Sequence, residues 1–144
     1  MNEFEKSHKL PLAQKAKEIY QLVDGLTSSI SEDENNLLLS QRQFMMEDAL
    51  LILTKISGAE AGDLYDIRME NATIIRKCAR ELYVQAGSLD LYGFERSEYA
   101  KLIRKEIEEF KILFREWVAS FDPWNYIVDD WGLFNPPGIS PNEE

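Results

Sequence analysis

Between Ile56 and Asn71 the chain reads ISGAEAGDLYDIRMEN, which places four carboxylates, Glu60, Asp63, Asp66 and Glu70, within eleven positions. Carboxylates spaced this closely can hold a hard divalent cation, because Mg²⁺ takes oxygen ligands and keeps several waters. The Glu60-Ala61-Gly62-Asp63 run has Glu-x-x-Asp spacing, and Glu47-Asp48 lies one helix earlier. Glu47, Asp48, Glu60 and Asp63 are therefore the candidate ligands of an all-carboxylate magnesium site. The competing reading is a wet helix face. On a helical projection Asp63, Asp66, Glu70 and Glu81 share a side roughly 120° from the apolar stripe of the same segment, and metal sites in helical bundles point inward. The solvated face is the favoured reading, so no metal and no cofactor are expected.

Other residues that could do chemistry are few. The single histidine, His8, stands in an N-terminal segment expected to fray, so neither a ferritin-like di-iron site nor a Ser-His-Asp constellation is expected around it. The single cysteine, Cys78, falls on an apolar helix face, where a thiol behaves as a small hydrophobe. No lysine-serine or lysine-threonine pair follows Gly58 or Gly62, so a phosphate loop is absent. Three charges interrupt apolar stripes: Arg42, Arg68 and Glu106. A buried charge needs a partner, because desolvation costs several kcal/mol per ion. The spacing suggests an Arg42–Glu106 or Arg68–Glu106 pair that fixes helix register or a subunit contact; a polar pocket in the bundle core, for a small anion or a catalytic carboxylate, is the alternative. Arg104–Glu108 and Lys105–Glu109 have i,i+4 spacing and read as a solvated face.

The elements that carry these residues are helical throughout. Leu12, Ala16, Ile19, Val23, Leu26 and Ile30 share one face after Pro11, which suits a first helical turn. Ser31 with Glu34 has capping-box spacing and predicts a second helix over about 32–56. Gly58 and Gly62 interrupt, a third helix covers about 63–86, and Gly87 and Gly93 break the chain again. A fourth helix over about 98–121, capped by Ser97, carries one stripe from Tyr99 to Phe121 and stops at Asp122-Pro123. Short connections predict an all-α, antiparallel up-down four-helix bundle over 11–121. Residues 1–10 are expected to be a flexible N-terminus and 122–144 an irregular aromatic and proline-rich extension.

The second helix is apolar over more of its circumference than a bundle needs. Leu38, Met45, Ala49, Ile52 and Ile56 make one face; Leu39, Met46, Leu50 and Leu53 widen it on one side, and Leu37, Phe44 and Leu51 on the other. That excess predicts a contact with a second subunit, unless the C-terminal segment covers it. The extension holds Trp124, Tyr126, Trp131 and Phe134, whereas disordered tails are poor in aromatics. Either WNYIVDDWGLF folds back on a bundle, followed by a loose NPPGISPNEE end, or DDWGLF is an exposed docking motif for another protein.

With 144 residues, a net charge of −10 and one cysteine, the chain reads as one acidic domain of a reducing compartment, hence cytoplasmic. The charge disfavours nucleic acid as a general partner. No apolar run approaches the roughly 20 residues that span a bilayer.

Leu91-Tyr92-Gly93-Phe94, followed by Glu98-Tyr99 and an acidic-aliphatic last helix, resembles the Leu-Gly-Tyr turn of the bacterial four-helix-bundle family named for the intervening sequences of 23S ribosomal RNA genes. Ala59-Glu60 with Gly62 loosely resembles that family's Asn-Ile-Ala-Glu-Gly junction. The resemblance covers about 12–121 and implies a non-enzymatic bundle, often a ring-like homo-oligomer. Its retroelement accessory members are basic and contact nucleic acid or a reverse transcriptase, whereas this chain is acidic; no functional residue of the family carries over. The sequence thus favours a self-associating scaffold without catalysis. The alternatives are an enzyme resembling the all-α, magnesium-dependent nucleoside triphosphate pyrophosphatases, and a nucleic-acid accessory protein with a local basic patch.

Overall fold

The computed structural model describes residues 9–94 and 97–141, so His8 lies outside it. Four α-helices and no strand are present among the described residues. Pro11 opens α1 (Pro11–Ser28), where its fixed φ is helical and its missing N–H costs nothing.

The second helix, α2 (Asn36–Glu60), starts later than the capping-box spacing predicts. Asn35 is the cap, its Oδ1 accepting the Leu38 N–H at 2.9 Å. Its Nδ2 also donates to the Tyr92 carbonyl at 3.1 Å, so a tertiary bond favours Asn35 over Ser31. Ser31 closes the preceding turn instead, accepting the Glu34 N–H on its carbonyl and the Asp33 N–H on its hydroxyl.

Neither Gly58 nor Gly87 breaks a helix. The α2 helix runs through Gly58, where an added Cβ would come within 3.3 Å of the Asn71 amide oxygen of α3 (Tyr65–Ser88). At Gly87 a Cβ would overlap the Arg104 guanidinium, which fills that space to donate from Nε to the Tyr83 carbonyl and lie over the Tyr83 ring. Both glycines admit a side chain from the next helix. The turn that ends α3 is made further on, by a 3₁₀ segment (Leu89–Tyr92) closed by Gly93 at φ 88°, a left-handed conformation that suits glycine. The last helix, α4, is described over Ser97–Ala119, and the expected Ser97 cap lies outside what is described.

Each helix packs on two neighbours: α1 on α2 and α4, and α3 on α2 and α4. The stripes read from sequence line the shared core. Ile19, Leu26, Leu38, Ile52, Ile75, Leu82 and Ile103 are fully buried, each contributing about 1.5–3 kcal/mol through loss of apolar surface to water. At the end of α4 the rings of Phe110, Phe114, Trp117 and Phe121 form a run with centroid separations of 6.2, 6.0 and 4.8 Å. No helix among the described residues is long and apolar enough to cross a membrane.

Candidate functional site

The four candidate magnesium ligands do not converge. Residues 48 and 60 are twelve positions apart on α2, about 18 Å along its axis, and they project on different faces. Glu47 is exposed and accepts from Gln43. Glu60 accepts from Arg68 Nη2 and Trp117 Nε1, each at 2.6 Å. Asp63 is exposed, and it is its backbone carbonyl that accepts from Asn125. Asp48 turns towards α3. Among the described residues no group of three or more His, Cys, Asp or Glu side chains is close enough to hold a metal ion.

The stripe-interrupting charges do find partners, but not the ones the spacing suggests. Arg68 pairs with Glu60 and stacks 4.2 Å from the Phe121 ring centroid. Glu106 pairs with Lys15 of α1 at 2.8 Å, and Lys15 also reaches Glu109 and Glu18. These bonds, Glu106's first, raise the Lys15 ammonium well above its ordinary range. Arg42 reaches the Ile30 carbonyl and Glu32 rather than α4. Arg104 is taken by Tyr83, so Glu108 pairs with Lys111 instead.

A second polar cluster, not foreseen from the sequence, lies between α2 and α3. Asp48 is buried, 7% exposed, and faces Glu81 and Cys78 of α3. Burial first, then the bond and charge of Glu81, push its carboxyl up to about 7. Glu81 is half-exposed and also pairs with Lys77 at 3.2 Å, while Asp63 and Glu70 are exposed. The Cys78 thiol is pushed up to about 12 by burial and by the negative charge of Asp48. Thiolate is the reactive form. Alkylation of Cys78 by iodoacetamide at pH 8 is expected to be slower in the native protein than in urea by on the order of 100-fold. Equal rates would contradict the burial of this thiol.

On α2, Leu39, Met46 and Leu53 are half-buried against the core, and Leu50 is exposed. The more exposed edge is the opposite one, where Leu37, Phe44 and Leu51 recur every seven residues at 65%, 49% and 38% exposure.

The C-terminal segment is irregular but held in one conformation. The Tyr65 N–H donates to the Asn125 carbonyl, and Asn125 Nδ2 to the Asp63 carbonyl, pinning the segment to the start of α3. The Asp129 carboxylate accepts the backbone N–H groups of Trp131, Leu133 and Phe134 at 2.9–3.0 Å, while Asn135 bonds both backbone groups of Asp129. Those N–H bonds, the Phe134 one foremost, hold the Asp129 carboxyl below the usual carboxylate range. Within the NPPGISPNEE end, Pro136 is buried and Pro141 packs near Gly132, and residues 142–144 lie outside the described residues. Tyr126 and Phe134 are half-buried, whereas Trp124 is exposed and Trp131 is 92% exposed, beside Leu133 at 75%. No protein-family model, curated protein or solved structure matches the chain.

Proposed function

We propose that this protein is a non-catalytic interaction module that associates with copies of itself, built on an antiparallel up-down four-helix bundle. The observation that carries this reading is the C-terminal loop, which five hydrogen bonds around Asp129 hold in one shape while Trp131 and Leu133 stand in water. An ordered segment that buries little of its largest ring adds little to its own core, and exposed apolar clusters of this kind mark binding surfaces. The antiparallel arrangement is supported by neighbouring ends: Asn35 before α2 bonds Tyr92 after α3, and Tyr99 early in α4 touches Gly25 late in α1. The resemblance to the ring-forming bundle family favours the same reading. A net charge of −10 weighs against nucleic acid, and one buried cysteine suits a reducing cytoplasm.

Light scattering of the full chain across a dilution series tests the proposal. A discrete multiple of 16.7 kDa is expected. A monomer at every concentration would sink it.

A further inference from the structure

We infer that the groove between α3 and α4 is the seat for the Trp131–Leu133 tip of a second copy's C-terminal loop. This rests on the self-association reading and names its contact. The groove has a volume of about 230 Å³, with a floor of Ala79, Tyr83, Phe110 and Phe114 and a rim bearing Arg76 and Arg80. Neither arginine side chain has an ion-pair or hydrogen-bond partner among the described residues, although acids outnumber bases 26 to 16 in the chain. The nearest acid on the rim, Glu108, is engaged by Lys111. An apolar trough under two uncompensated guanidiniums calls for an aromatic ligand flanked by carboxylates.

The C-terminal segment has that chemistry. Residues 122–144 contain five acidic residues and no lysine or arginine, and so carry half of the chain's net charge of −10. Asp130 is exposed next to Trp131, at the tip that the Asp129 hydrogen bonds fix. The chain's own tip does not reach its own groove. None of residues 130–133 lines the groove, and Trp131 is 92% exposed. Asn125 is tied to Tyr65, with Arg76 and Arg80 eleven and fifteen residues further along α3, about 17 and 22 Å away. Six residues would have to be fully extended, about 20 Å, to come level with Arg76 and would still fall short of Arg80, whereas the chain closes a turn from Asp129 to Gly132. The groove is thus filled from another copy, with Trp131 on the apolar floor and Asp130 at Arg76 and Arg80.

The test uses two full-length variants, Trp131→Ala and the double variant Arg76→Glu/Arg80→Glu. All three positions are exposed, so both variants should melt as the wild type does. Light scattering should show an assembled wild type and each variant alone at 16.7 kDa. Mixing the two should restore a dimer, because one supplies an intact groove and the other an intact tip. Variants that stay assembled would overturn the groove assignment while leaving self-association standing. Monomeric variants that fail to complement one another would overturn it as well. A monomeric wild type would overturn both readings.

Discussion

Glu60→Ala should lower the free energy of unfolding by about 3 kcal/mol and the melting temperature by roughly 10 °C. Glu60 joins three helices: it lies at the end of α2, takes a charged hydrogen bond from Arg68 of α3 and accepts the indole N–H of Trp117 from α4. Removing the carboxylate leaves a guanidinium that is only 13% exposed without its counter-charge, pressed against Phe121. It also leaves the N–H of a buried tryptophan without an acceptor. Unpaired buried charges and donors are costlier than the bonds they made were stabilising. Glu60→Gln keeps an acceptor for Trp117 and should lose less, about 1–2 kcal/mol. The urea midpoints of the three proteins decide this; an alanine variant within experimental error of the wild type would mean that water replaces the carboxylate at this end of the bundle.

The second large effect depends on pH. Asp48 faces Glu81, Cys78 and Lys77, and its carboxyl is pushed up to about 7 in the folded chain from an ordinary 3.8. The folded state therefore binds this proton more tightly than the unfolded state does. The associated stabilisation is complete below about pH 4 and is lost as pH rises through about 7. Asp48→Asn keeps the neutral form at every pH. It should be near wild-type stability at pH 4 and more stable by about 2 kcal/mol at pH 8. Chemical denaturation at the two pH values is the measurement. A variant with the same deficit or gain at both would show that Asp48 is not the group that titrates.

The contrast between these two carboxylates shows what could be read from the chain alone. Helical periodicity located the core because burial repeats every three or four residues: Leu38, Met45, Ala49, Ile52 and Ile56 all lie in it. The need for partners at Arg42, Arg68 and Glu106 was legible for the same reason, since a charge inside an apolar stripe has to be compensated. Their identities were not, because pairing across helices depends on rotation and axial register, which no local pattern encodes. Lys15 was the available signal for Glu106: it sits between Leu12 and Ala16 on the inner edge of α1, a stripe interruption of the same kind. Asp48 is adjacent to Ala49 and was grouped with Glu47 because the two are neighbours in sequence. On a helix adjacent residues point about 100° apart, and only the placement of α3 shows that Asp48 is the inward one. The glycines misled for a related reason. Gly58 and Gly87 matter because of what the next helix places against them, and a single strand of text does not show that.

The hydrogen bonds around Asp129 have a kinetic and calorimetric consequence. A loop already folded in the free chain has no ordering step to complete when it meets its seat, so its association resembles the docking of rigid bodies. The heat-capacity change on association should then match the area covered by the indole and leucine alone, without the larger contribution that coupled folding of a 20-residue segment would add. Because those amides also hold the Asp129 carboxyl ionised below its usual range, the loop keeps this preorganisation in mildly acidic solution, where an ordinary aspartate would begin to protonate.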